Sequence, residues 1–153
     1  MLNIKVTPSF KRVGNVFKQI KLGPAIQEGI EAMAREVEGA SKKETPVDTG
    51  MLRGSIQTKV RTLQAIVEPR KKYAIFVHEG TRPHWPPIGA IEGWARRHGI
   101  EPFLVARAIA RHGTKARPFM REGLEVARHK ILGSRNPVFK RVKKYIEMEV
   151  KKI

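Results

Sequence analysis

A chain of 153 residues with 41% hydrophobic side chains can bury a core of its own and is too apolar to be disordered throughout. Thirty-one basic against fourteen acidic residues give a formal charge of +17, which favours an acidic partner, nucleic acid or protein. The chain has no cysteine, which excludes disulfides, thiol nucleophiles and thiolate metal sites. No apolar run reaches the ~20 residues that span a bilayer, and no signal stretch is legible at the start, so synthesis in the cytosol is expected.

The charge is uneven. Residues 1–50 carry 8 basic and 6 acidic groups, 51–100 carry 9 and 3, and 101–153 carry 14 and 5. The surplus grows toward the C-terminus.

In chain order, Leu2 to Val6 reads as a short strand. A small amphipathic helix carrying Phe10, Val13, Phe17 and Ile20 follows. Gly23-Pro24 opens a long helix, since proline suits the first helical position. Its stripe is Ile26, Ile30, Met33, Val37 and Ala40, with Lys42 and Lys43 in the last turn and Pro46 as the stop. The period then changes. Leu52, Gly54, Ile56, Thr58 and Val60 alternate with polar residues, which predicts a half-exposed strand. Leu63 to Glu68 is a second strand, and Pro69 to Lys72 a basic turn. Tyr73-Ala74-Ile75-Phe76-Val77 is apolar throughout and predicts a central third strand of an antiparallel meander.

Pro83, Pro86 and Pro87 break the chain. Ile88, Ile91, Trp94, Ala95 and His98 then outline a helix closed by Gly99. Pro102 opens another, with Leu104, Val105, Ala108 and Ile109 inward and Gly113 at its end. Thr114 to Phe119 is extended. Met120, Leu124, Ala127 and Ile131 mark a helix ended by Gly133. Asn136-Pro137 caps a last, basic helix with Phe139, Val142, Ile146 and Val150 as its stripe. The fold class predicted is α+β: a small antiparallel sheet of three to four strands on a long N-terminal helix, with a helical insertion and C-terminal helices. Residues 1–133 form the domain and 134–153 an appended basic helix.

Catalytic chemistry is poorly represented. Asp48-Thr49-Gly50 spells the aspartic-protease triplet, but that reaction needs two carboxylates sharing a proton. A turn explains the triplet better, with aspartate in an Asx turn and glycine at positive φ. Ser55, His78 and Asp48 could be drawn as a triad, yet Ser55 lacks a nucleophile-elbow setting and reads as a solvent-facing strand serine. His78, Glu79 and His84 lack the helical pairing of common zinc sites. No phosphate-binding glycine loop is present. Lys140, Arg141, Lys143 and Lys144 are candidates for electrostatic contact, without the interleaved aromatics of a single-strand platform.

Three stretches carry a resemblance. They are Thr45-Pro46-Val47-Asp48-Thr49-Gly50-Met51-Leu52-Arg53-Gly54-Ser55-Ile56, then Tyr73-Ala74-Ile75-Phe76-Val77-His78-Glu79-Gly80-Thr81, then Gly113-Thr114-Lys115-Ala116-Arg117-Pro118-Phe119-Met120. In order and spacing they resemble the head–tail joining, or tail-completion, proteins of long-tailed phages and prophages, the lambda Z-type neck family. The resemblance covers roughly residues 20–132. Pro86 to Ala110 fits the helical insertion of longer members, and the helix after Gly133 lies outside the pattern.

The resemblance implies a non-enzymatic structural subunit without cofactor, metal or small-molecule substrate. It implies a homo-oligomeric ring, commonly sixfold, meeting portal or adaptor and tail-tube proteins in the virion neck after assembly in the host cytoplasm. Contact with DNA is open, and no membrane is involved. The motif residues Pro46, Asp48, Thr49, Gly50, Leu52, Arg53, Ser55, Tyr73, Glu79, Gly80, Thr81, Arg117, Pro118 and Phe119 are expected to act as structural or interface groups. Pro46 and Gly50 set backbone geometry; Tyr73, Phe76 and Phe119 fill the core; Glu79 pairs with Arg117 or Arg53. The alternatives are a nucleic-acid-binding protein using the C-terminal charge, and a small hydrolase built on Asp48.

Overall fold

The long helix forms where its caps place it. In the computed structural model, which describes residues 4–6, 23–61, 64–133, 140 and 144, helix α1 spans Gly23–Glu44. Lys42 and Lys43 lie in its last turn, where the helix dipole favours cations. The buried Thr45 donates its hydroxyl to the Ser41 carbonyl at 2.6 Å, and the helix stops before Pro46. Ile30, Ala34, Val37 and Ala40 are buried along one stripe, with Ile26 and Met33 packed against the same core. The small amphipathic helix expected before Gly23 lies outside the described residues.

A three-stranded antiparallel sheet lies against α1. Its strands are β1 (Ile4–Val6), β2 (Ile56–Arg61) and β3 (Gln64–Pro69), in the order β1-β3-β2. Pairing sets Ile56 opposite Pro69, Thr58 opposite Val67 and Val60 opposite Ala65, so these residues share one face. Ile56, Ala65 and Val67 on that face are fully buried. The other face is polar and carries the ion pair of Lys59 with Glu68 at 3.5 Å. Thr58 and Lys42 both donate to the Glu38 carboxylate at 2.5 Å, tying β2 to α1. Burial alone would raise the Glu38 pKa, but these hydrogen bonds outweigh it and hold it below its ordinary value.

Two expectations about the sheet fail. Met51–Gly54 forms a helical turn, α2, so the strand starts only at Ile56. Gly50 enters that turn at φ 78°, and Ser55 closes it by donating to the Leu52 carbonyl at 2.8 Å. Ser55 is therefore a buried cap and not a solvent-facing strand residue. Tyr73–Val77 is no third strand: Ala74–Glu79 is the short helix α3. Ala74 and His78, four apart, turn inward, whereas Tyr73 and Phe76 are 43% and 58% exposed and do not fill the core. Five consecutive apolar residues satisfy either period, so the pattern alone could not decide. The meander thus contributes two strands, and β1 supplies the third.

Helices α4 (Ile88–Arg97) and α5 (Pro102–His112) form the insertion, and α6 (Phe119–Leu132) returns to the core. Glu101 caps α5 by accepting from the Leu104 N–H at 3.1 Å. Ala106 is the buried residue of α5, while Leu104 and Ala108 face outward, against expectation. Helix α6 runs antiparallel along α1, with Gly123 against Ser41 and Lys130 paired to Glu36 at 3.6 Å. Phe119, Met120 and Ala127 are buried, and Leu124 and Ile131 pack beside them. The basic segment 134–153 lies outside the described residues except Lys140 and Lys144, both helical and exposed.

At the α1–α6 crossing a side chain on Gly123 would run into the Ser41 backbone. Gly123→Ala should therefore cost ~1–3 kcal/mol in urea unfolding, as overpacking does, although alanine is the better helix former. His78 is the one buried imidazole among the described residues. Both its ring nitrogens lack a hydrogen-bond partner, and its ring centroid lies 5.4 Å from that of Phe119. Burial, helped by Arg121, pushes its pKa below the ordinary 6.5 against the opposing pull of Glu79 and Glu122. The unfolded chain then binds the proton more readily, so protonation removes no stability well above that value and progressively more below it. His78→Leu should flatten the loss of stability between about pH 7 and pH 5, read as the denaturation midpoint against pH.

Candidate functional site

The three motif stretches border one place, and backbone hydrogen bonds join the second of them to the third. Gly80 at φ 73° and Gly113 at φ 69° put Thr81 and Thr114 side by side as an isolated antiparallel bridge. The Thr81 N–H donates to the Thr114 carbonyl and the Thr114 N–H to the Thr81 carbonyl, each at 3.1 Å. The two hydroxyls lie 3.0 Å apart. A Cβ on Gly80 would strike the Thr114 carbonyl oxygen, and one on Gly113 the Thr81 carbonyl oxygen. The two Gly-Thr pairs are thus the stem of the insertion, which leaves the domain after Thr81 and returns at Thr114.

Beyond the stem, the Arg117 N–H donates to the Val77 carbonyl at 2.9 Å. Pro118, at φ −78° and ψ 54°, makes a tight turn in which the Phe119 N–H donates to the Arg117 carbonyl at 2.8 Å. That turn starts α6 and drops Phe119 into the core, fully buried. The Arg-Pro-Phe segment is a backbone latch followed by an apolar anchor. Arg53 reaches the Thr45 carbonyl at 3.5 Å, a long contact that places a cation at the end of α1. The expected pairing of Glu79 with Arg117 or Arg53 is not made among the described residues; all three are exposed.

Of the two motif carboxylates, Asp48 is the one that finds an arginine. It accepts from Arg97 of α4 through both oxygens, with Nε at 2.9 Å and Nη2 on the other. The Arg97 hydrogen bond is the main reason why the Asp48 pKa lies below its ordinary value, and Arg97 is raised in turn. Sequence reasoning gave Asp48 to an Asx turn and overlooked Arg97. A signal existed: Asp48 is the chain's only aspartate in a strongly basic sequence.

Stem and ion pair together hold α4 across from the Pro46–Leu52 turn and α3. An open groove of about 1280 Å³ lies between them. Val47, Met51, Tyr73, Phe76 and Trp94 line it with large apolar side chains that remain exposed. Trp94 stacks on His98 at a centroid distance of 4.2 Å. Arg82, Lys115 and Arg117 stand at its edges.

No reacting centre assembles from the residues that spelled one in sequence. Ser55 donates to a backbone carbonyl, the His78 nitrogens contact no polar group, and Asp48 belongs to Arg97. An aspartate held as an anion by arginine cannot share a proton as the protease triplet must. His84 bonds the Arg82 carbonyl at 2.9 Å, away from any metal-ligand set. Among the described residues no group of three His, Asp or Glu side chains could hold a metal ion, and no helix is long and apolar enough to cross a membrane.

Comparison with known proteins bears on the same region. Residues 11–80, just under half of the chain, match the model of the HK97-gp10_like family, described as "Bacteriophage HK97-gp10, putative tail-component". The likeness is to a phage tail component. The match takes in the Pro46–Ser55 stretch and Tyr73 to Gly80, and it supports a tail- or neck-region protein without singling out the lambda Z type. No curated protein and no solved structure matches the chain.

The stem supplies a test. Gly113→Ala meets both the left-handed backbone and the Thr81 carbonyl. It should cost about 1–3 kcal/mol or more. Amide exchange in α4 and α5 should accelerate beyond that in α1 and α6, checked by hydrogen-exchange mass spectrometry.

Proposed function

We propose that this chain is a structural virion protein that joins or completes the tail at the head–tail interface of a tailed phage or prophage. It acts by assembling into a sixfold ring and by touching portal or adaptor and tail-tube proteins. What supports the reading is that all three motif stretches border one open apolar groove, two of them latched together by backbone hydrogen bonds, with no converging reactive groups among the described residues. The likeness of residues 11–80 to a phage tail-component family points the same way.

On this reading residues 1–133 are the neck-protein domain, and the basic segment 134–153 is an appended contact. The motif residues divide their work. Gly50, Ser55, Gly80, Thr81, Pro118 and Phe119 shape the domain. Pro46, Asp48, Thr49, Leu52 and Tyr73 line or border the surface it offers. Closed rings need two different complementary flanks, and the outer edge of β2 and the insertion are the candidate pair. No observation favours the nucleic-acid alternative.

Native mass spectrometry and negative-stain microscopy of the purified chain, alone and mixed with the portal, adaptor and tail-tube proteins encoded beside it, test the proposal. A closed ring or a stoichiometric complex with one of these proteins is expected. A chain that stays monomeric in every mixture contradicts it.

A further inference from the structure

We infer that the groove between the Asp48 turn, α3 and α4 receives an acidic, amphipathic segment of a partner protein. The inference rests on the tail-component reading and names the partner's chemistry.

The volume comes first. A space of about 1280 Å³ exceeds the ~300–1,000 Å³ of ordinary small-molecule sites and suits a stretch of polypeptide. The apolar surface comes second. Tyr73 just before α3, Phe76 on α3, Met51 on α2 and Trp94 on α4 are large side chains left in solvent around the groove. Aromatic and methionine side chains gathered in a concave patch are the composition of an interface centre, where a partner's apolar residues insert.

Charge decides between occupants. Asp48 is the sole carboxylate among the groove-lining residues, and Arg97 neutralises it. Arg82, Lys115 and Arg117 at the rim are exposed and joined to no carboxylate among the described residues. The uncompensated charge is positive, so the complementary segment carries Asp or Glu around its apolar anchors.

A second copy of this chain is a poor fit. The chain is strongly basic, and Glu31, Glu36, Glu38, Glu68, Glu92 and Glu125 already pair with its own Lys and Arg. Nucleic acid could stack on the aromatic side chains, but a backbone-tracking groove needs cations along its length, whereas Arg82, Lys115 and Arg117 all lie beside the Thr81–Thr114 bridge.

The test is selection of a random 16-residue peptide display library on the immobilised full chain, with fluorescence anisotropy of the enriched peptides. Enriched sequences should carry two or more large apolar residues and a net negative charge, and bind more weakly as salt rises. Phe76→Ser, and separately Arg82→Glu with Arg117→Glu, should each weaken binding at least tenfold. Circular dichroism and the thermal midpoint verify that these variants fold.

Enrichment of basic or uncharged peptides, no enrichment, or binding that either variant leaves intact overturns the inference. Two other outcomes also overturn it: a random 20-base DNA that displaces the peptides from the wild type, and self-association abolished by Phe76→Ser. A ring or neck complex that forms while no acidic peptide binds removes this inference alone. Failure of ring and complex formation removes the reading beneath it.

Discussion

The crossing of two Gly-Thr dipeptides is the constraint on which the surface of this molecule depends. At Thr81 and Thr114 the backbones approach so closely that neither preceding glycine could carry a side chain. That contact turns residues 82–113 from a long irregular excursion into a helical pair hung on a two-residue stem. Its entropic logic is that of any clipped loop: once the ends are fixed, the length between them costs little more. The same contact aligns Arg117 with α3 and hence delivers Phe119 to the core.

Packing in the body follows a different principle. Helix α1 has two working faces, one on the sheet and one on α6, so its stripe is wide and its small residues matter as much as its large ones. Ala34 and Ser41 let neighbouring backbone come near, and Gly123 returns the favour from α6. Close helix contact of this kind leaves the Ser41 hydroxyl buried without a partner, and the His78 ring is buried without one beside Phe119. Such orphaned groups lower stability and are tolerated where packing over-determines the position.

The groove is the product of both. The body offers the Asp48 turn and α3; the stem offers α4; a bidentate ion pair between Asp48 and Arg97 spans the gap. The pair is exposed, so its role is orientation more than stability. The aromatic side chains that sequence patterning assigned to the core, Tyr73 and Phe76, stand on this wall instead. Their exposure gives the groove its apolar lining.

Much of the architecture was legible in the sequence because it rests on local rules. Pro24, Pro46 and Pro102 mark helix ends through the missing N–H, Gly99 and Gly113 through positive φ, and the 3.6-residue stripes of α1 and α6 follow from burying one face. The hairpin of β2 and β3 and the positive φ of Gly50 were legible for the same reason. Tertiary structure alone decided the rest. Tyr73–Val77 became a helix because a five-residue apolar run fits two periods and its neighbours choose. Leu52 to Gly54 alternates like a strand but is wound into a turn by Gly50 and capped by Ser55. Which arginine meets Asp48, and which two Gly-Thr pairs cross, are matters of distance between residues far apart in the chain. Spacing along a sequence carries no information about that distance until the core has closed.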